Sequence, residues 1–294
     1  MTPEEMKGWM SRRPRVLDGA CASELLRQGV DAASHLWGVG ALLEAPDAVR
    51  SLHRAYAAAG AEALTAATFR VAPFSLRRAG LEPRAGELAA LAVRLAREGA
   101  RDAGREPLVL ASQTTLEDCY RPDLVPDGAT LAREHAATAA ALAAAGPDAL
   151  LLETFNTVRE ACAAAEAATA TGLAVLVSFT CVEGGRLLSG EDARDAAAAA
   201  TVPGVVAVGV NCTSARAMMA ALARIALGTD LPLVAYANNA WSASDSPWLA
   251  ADPMPPLLYA RCALGWTAAG ARVVGGCCGT GPDHVSAVAS ILRG

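Results

Sequence analysis

Lysine is almost missing from this sequence: 294 residues carry one, Lys7, close to the N-terminus. Schiff-base chemistry from a strand end is therefore excluded as a working idea. Histidine occurs four times, at positions 35, 53, 135 and 284, and none of these closes a strand-like run. A metal site in this protein has to be built mainly from other ligands. No cluster of basic residues appears and the formal net charge is −5, so nucleic acid and anionic membrane are poor partners. The opening MTPEEMKGWMSRRPR is charged and lacks the apolar stretch of a secretory signal. No run reaches the roughly 20 apolar residues of a membrane helix. The longest candidate, 135–152, is broken by Gly146-Pro147-Asp148. These absences make a cytoplasmic protein the expectation.

What is plentiful is apolar: 53% of the residues are hydrophobic, enough for one large core. Short apolar runs alternate with Ala-rich helical patterns along the whole chain, the signature of parallel βα units. Strands are expected at Arg15–Asp18, Ala63–Thr68, Pro107–Ser112, Ala149–Glu153, Ala174–Phe179, Val205–Asn211, Leu233–Asn238 and Arg272–Gly275. Helical patterns follow them, for example Pro46–Ala59, Thr130–Ala145, Val158–Ala170, Ala215–Leu227 and Pro282–Leu292. Eight such units without an intervening linker fit a closed α/β (β/α)8 TIM barrel better than an open sheet. The expected organisation is one domain over 1–294, with 1–14 as an N-terminal tail. Long connections at 113–128 and 239–256 follow strands three and seven, on the face where barrel active sites form.

Polar residues stand where the strand patterns stop. Asp18, Thr68, Glu153, Asn211-Cys212, Asn238 and Cys277-Cys278 would all fall on one rim. Singly, each has an ordinary explanation: Asp18 caps a turn, Asn211 satisfies loop backbone, Glu153 pairs with an arginine. Together they point to a ligand. The sharpest element is Gly275-Gly276-Cys277-Cys278-Gly279-Thr280-Gly281. Eight cysteines without an export signal favour metal or reactive thiols over a disulfide framework. Two adjacent thiolates make half a zinc site, and Cys212, sixty-five residues before Cys277, would complete a three-ligand set if strands six and eight end near each other. Strands separated by one neighbour lie about 10 Å apart, which inward side chains can bridge. Two alternatives stay open here: a glycine-rich phosphate cradle, or cysteines as small buried fillers. Cys162 and Cys262 lie on helical patterns and read as fillers, whereas Cys21 and Cys181 follow strands one and five and are candidates for a pocket wall.

The chain resembles the homocysteine S-methyltransferases, specifically the short single-barrel type that uses S-methylmethionine or S-adenosylmethionine. The likeness runs from about Val16 to Leu292 through LDGACASELLRQGVD, LLLETFNTVREA, AVGVNCTS, PLVAYANN and GARVVGGCCGTGPDHV. The NC and GGCC pairs are its most specific parts. The resemblance implies that Cys212, Cys277 and Cys278 bind zinc, that Asp18 and Glu153 hold the homocysteine amino group, and that Thr68 and Asn211 line the pocket. Asn238, on the same rim, is a further substrate-binding candidate. Trp37 and Trp241 read first as core or surface residues, and second as candidates for packing against a sulfonium by cation–π attraction. Zinc would present the substrate sulfur as a thiolate, and a thiolate-rich centre would attract a cationic donor. The partners implied are homocysteine and a small sulfonium donor.

The sequence departs from the family pattern in two places. Ala111-Ser112-Gln113-Thr114-Thr115 stands where a Gly-Ser-x-Gly-Pro turn is usual, and Ala237-Asn238-Asn239-Ala240 where Pro-Asn-x-Gly is usual. Both are expected on the catalytic rim away from the cysteines, where they would bear on the methyl donor. A folate-using relative would need a second barrel, and a betaine-using one a longer C-terminal extension. The competing readings are a phosphate-binding barrel enzyme built on GGCCGTG and a catalytically inactive, zinc-binding regulatory barrel.

Overall fold

A computed structural model describes residues 1–30, 36, 38–239 and 253–293. Its main sheet has eight strands: β1 (Arg15–Val16), β2 (Ala63–Ala66), β3 (Leu108–Gln113), β4 (Ala149–Phe155), β5 (Val175–Phe179), β6 (Val205–Ser214), β7 (Leu233–Asn238) and β8 (Ala271–Gly276). All pair in parallel, in the order β1-β8-β7-β6-β5-β4-β3-β2. The two ends meet: Leu17 bridges Ala63, Glu62 N–H donates to the Val16 carbonyl at 2.7 Å, and Asp18 N–H to the Ala63 carbonyl at 3.1 Å. This is the (β/α)8 barrel expected from the alternating pattern. A small antiparallel hairpin, Cys181–Val182 with Arg186–Leu187, lies outside it.

The strands are apolar on both faces because helices cover the outside and side chains fill the inside. Leu110, Leu151, Leu176 and Val234 belong to the inner cluster, which is separate from the larger core between sheet and helices. The helix Pro46–Ala59 matches its expected span; proline opens it and Gly60, at φ 103°, closes it in the left-handed region. It packs on Ala85–Asp102 at Gly99, where an added Cβ would sit 2.4 Å from the Arg50 carbonyl oxygen.

Within the expected N-terminal tail, Pro3–Ser11 is a helix. A capping box from Thr2 and Glu5 starts it, and Met6 and Met10, one helical turn apart, are both fully buried in the barrel's inner cluster. The Ala174 N–H donates to the Met1 carbonyl at 3.0 Å, so the segment is held against the sheet as well. Among the described residues no helix is long and apolar enough to cross a membrane.

Candidate metal centre and active site

Two strands run two or three residues further than their apolar pattern, and both do so through irregular pairing. The β4 register shifts between Leu152 and Phe155, and the β6 register between Asn211 and Ser214. Each irregularity holds a non-glycine residue at positive φ, Thr154 at 63° and Cys212 at 48°. A β-branched residue in that region is strained, and a bulge of this kind re-aims the side chains beside it. Asn211 locks the two together. Its Oδ1 accepts the Thr154 N–H at 2.8 Å and its Nδ2 donates to the Thr154 hydroxyl at 2.8 Å, while Ser178 Oγ adds a third bond to Oδ1 at 2.8 Å.

Past β8, Cys277 and Cys278 turn over the barrel mouth. The turn needs its glycines for close approach: a Cβ on Gly276 would lie 2.0 Å from Thr280 Oγ1, and one on Gly275 2.7 Å from the Asp18 carbonyl oxygen. Five of its amides are already used. Gly276 N–H donates to Asp18 O, Cys277 N–H to Ala237 O, Thr280 N–H to Cys277 O, Gly279 N–H to Ser23 Oγ and Gly281 N–H to His284 Nδ1. A phosphate cradle requires several free amides aimed at the anion, and the commitment of these five within the fold disfavours one.

The Cys212, Cys277 and Cys278 sulfurs all lie within 4.8 Å of one another. Cys212 Sγ and Cys278 Sγ are 3.8 Å apart, far beyond the 2.05 Å or so of a disulfide. Two sulfurs on one tetrahedral zinc, at Zn–S of about 2.3 Å, would also stand about 3.8 Å apart. The Cys212 thiol is held well below its ordinary pKa because Cys277 and Cys278 donate to its sulfur, with Tyr120 and Asn238 helping. Cys277 and Cys278, the donors, are held well above theirs. By contrast, burial pushes Cys21 and Cys119, in the same cavity, up to about 12, so these stay thiols.

One cavity joins the three cysteines to Asp18, Glu153 and Tyr236, with Phe69 and Tyr120 in its wall. Asp18 accepts the Thr65 N–H at 2.7 Å and the Thr65 hydroxyl at 3.0 Å. Burial nevertheless pushes its carboxyl up to about 8, with the Glu153 charge adding to the effect. Burial likewise pushes Glu153 up to about 7, against the opposing pull of hydrogen bonds from Ser112 and Tyr236. Two protonatable carboxyls beside a cluster of three cysteine sulfurs make a pocket suited to a small molecule carrying both an ammonium and a thiol.

The family model for homocysteine S-methyltransferase matches residues 15–292. The chain belongs to this family. It is 34% identical to the homocysteine S-methyltransferase of Escherichia coli, over 93% of each chain. It is 30% identical to homocysteine S-methyltransferase 4 of Zea mays, covering 95% of this chain and 89% of that one. The metallated form of the Escherichia coli homocysteine methyltransferase MmuM superposes with a TM-score of 0.84 at 32% identity, over 98% of this chain and 99% of the other.

Within that family frame, the residues singled out from the sequence separate into two groups. Asp18, Glu153, Cys212, Cys277 and Cys278 line the cavity. Thr68, Asn211 and Asn238 stand behind its wall. Thr68 is buried against β3, donating to the Ser112 carbonyl at 2.9 Å and accepting the Ser112 N–H at 2.7 Å. Asn238 directs its Nδ2 at Cys212 Sγ, 3.6 Å away, and the Asn239 N–H donates to the Cys278 carbonyl at 2.8 Å, so the turn after β7 meets the cysteines and does not stand away from them as expected. Cys21 joins the wall, Cys181 packs in the outer core, and Cys162 and Cys262 sit on helices. Trp37, Trp241 and Ala240 lie outside the described residues. Sequence reasoning missed Tyr120, whose hydroxyl is 3.1 Å from Cys212 Sγ. A tyrosine in a polar loop has no periodic signature that would single it out.

Proposed function

We propose that this chain carries a methyl group from a small sulfonium donor to the sulfur of L-homocysteine, at a zinc held by Cys212, Cys277 and Cys278. The observation that carries the reading is the meeting of three sulfurs and two buried carboxyls in one cavity. A soft all-thiolate set suits zinc, and three protein ligands leave one position for substrate. Bound there, zinc supplies the charge that keeps a substrate thiol deprotonated at neutral pH. Eight unpaired cysteines fit a reducing compartment such as the cytoplasm, and one barrel spanning the whole chain is the domain organisation this reading assumes.

The chain's own groups position the reactants. At neutral pH Asp18 faces the cavity mostly protonated and Glu153 is poised near its midpoint; an ammonium arriving between them favours the ionised forms, so amino-acid binding and proton release go together. Thr65 orients the Asp18 carboxylate and Ser112 that of Glu153. Thr68 acts one layer back by fixing the Ser112 backbone; Asn211 and Asn238 hold the strand end and sulfur of Cys212. In the transfer, the donor's S–CH3 bond breaks as the new S–CH3 bond forms. The donor leaves as a neutral thioether and the acceptor thiol's proton has already gone to solvent. Fixing the two sulfurs in line lowers the barrier by removing the entropy of their encounter.

S-methylmethionine is the donor this reading favours, with S-adenosylmethionine slower. The small sulfonium needs no adenosine site, and the sequence shows no glycine-rich dinucleotide motif after an early strand. The test is a single reaction of homocysteine with both sulfoniums carrying distinguishable methyl labels. Methionine labelled mainly from S-methylmethionine is expected. Label mainly from S-adenosylmethionine would reverse the donor preference, and label from neither would remove the sulfonium reading.

A further inference from the structure

Resting on the assignment of Cys212 as a metal ligand, we propose that Tyr120 is a positioning residue of the metal centre: its hydroxyl donates a hydrogen bond to the Cys212 thiolate, and the loop after β3 is tied down from three sides to deliver it. The contact is direct, 3.1 Å from phenol oxygen to sulfur. A metal-bound thiolate has no proton to give, so the phenol is the donor. Tyr120 also stands in the cavity wall, within reach of whatever occupies it.

The loop has little regular structure of its own, one short 3-10 turn at Pro122–Leu124, and its shape comes from its neighbours. Arg70, following β2, donates from Nη1 to the Thr115 and Glu117 carbonyls, at 2.9 Å each. Asn156, following β4, donates to the Cys119 carbonyl at 2.7 Å. Glu160, on the helix Val158–Thr169, accepts the Leu116 N–H at 2.8 Å and is backed by His135 at 3.3 Å. Arg70, Asn156 and Glu160 are all buried, so each bond is made in a medium where leaving a partner unmade is costly. Asp118 shapes the final turn, accepting the Tyr120 N–H on Oδ1 at 2.9 Å while its carbonyl accepts the Arg121 N–H at 2.9 Å.

The stretch Ser112-Gln113-Thr114-Thr115 is the root of this loop. Gln113 Nε2 lies 2.9 Å from His135 Nδ1, which joins the strand end to the Glu160 tie. Of the residues that depart from the usual turn, Thr115 enters the same loop: its carbonyl takes the Arg70 bond and its hydroxyl donates to the Glu117 carbonyl at 2.9 Å.

Removing an outer hydrogen bond to a metal ligand commonly costs about 10- to 100-fold in metal affinity. The experiment measures zinc affinity by competition with a chromogenic chelator, and the sulfur-to-cobalt charge-transfer band of the cobalt-loaded full-length protein, without substrate. Tyr120→Phe should lower zinc affinity within that range and move the band to longer wavelength, because an unbonded thiolate gives up charge more easily. Asn156→Ala, which never touches the metal ligands, should shift both readouts the same way by freeing the Cys119 backbone. Unchanged affinity and band position in Tyr120→Phe would overturn the proposal. Should that variant not fold, Asn156→Ala decides on the same readouts. A wild-type cobalt form lacking any sulfur charge-transfer band would instead refute the ligand assignment, and this proposal with it.

Discussion

Asn211 and Thr154 hold each other at two points, backbone and side chain, across the mouths of β6 and β4. Each stands beside a residue of the site, Asn211 before Cys212 and Thr154 after Glu153. One amide therefore sets the metal side and the carboxylate side of the cavity relative to each other. Both strand ends are strained, with positive φ at Thr154 and Cys212, and such strain persists only where surroundings over-determine it.

Asn211→Ala is expected to release that strain and lose the lock. It leaves the buried Thr154 N–H without its partner, and an unsatisfied buried group costs about 1–3 kcal/mol. Denaturant unfolding of the apo protein should show a lower midpoint, and chelator competition a weaker metal site. An unchanged midpoint would mean that other contacts hold the two strand ends.

Glu153→Gln should impair use of homocysteine far more than metal binding, since it removes a charge partner and leaves the sulfurs in place. Loss of one buried charge-assisted contact is worth about 1.5–3 kcal/mol, or roughly 10- to 100-fold in kcat/KM. Steady-state kinetics with metal analysis on the same samples checks both halves. Unaltered homocysteine kinetics would assign Glu153 a purely structural role with Ser112.

The buried carboxyls also predict an inverted pH dependence. Asp18 is pushed up to about 8 in the folded protein, far above its unfolded value near 3.8. Between those values the unfolded chain has lost this proton and the folded protein keeps it, so stability falls as pH rises through this window. Asp18→Asn removes the effect while keeping the side chain's shape. Its stability relative to wild type, from unfolding midpoints without metal, should improve steadily from pH 5 to about 8.5. A difference independent of pH would show that Asp18 is already ionised when folded.

Much of this architecture is legible in residue order. All eight strands begin within about one residue of where the apolar runs begin, because parallel barrel strands are apolar on both faces. Their ends were harder to place. The β4 and β6 patterns stop at Glu153 and Asn211, yet pairing continues to Phe155 and Ser214 through bulges whose polar residues form the site. Apolar patterning cannot signal a strand that continues because its polar residues bond one another. The cysteine triad was legible as chemistry, since adjacent thiols are uncommon and Cys212 ends a strand near them. Tyr120 was not, because its placement depends on three ties from residues distant in sequence. The N-terminal helix left a signal that the reading of a tail passed over: Thr2 and Glu5 in capping-box spacing, with Met6 and Met10 on one face.

Metal analysis of purified, reduced protein tests the central claim most directly, comparing wild type with the Cys277→Ser, Cys278→Ser double variant. The account predicts about one zinc per wild-type chain, as three convergent thiolates imply, and none in the double variant. Full zinc content in the double variant would contradict the ligand assignment on which the proposed chemistry rests.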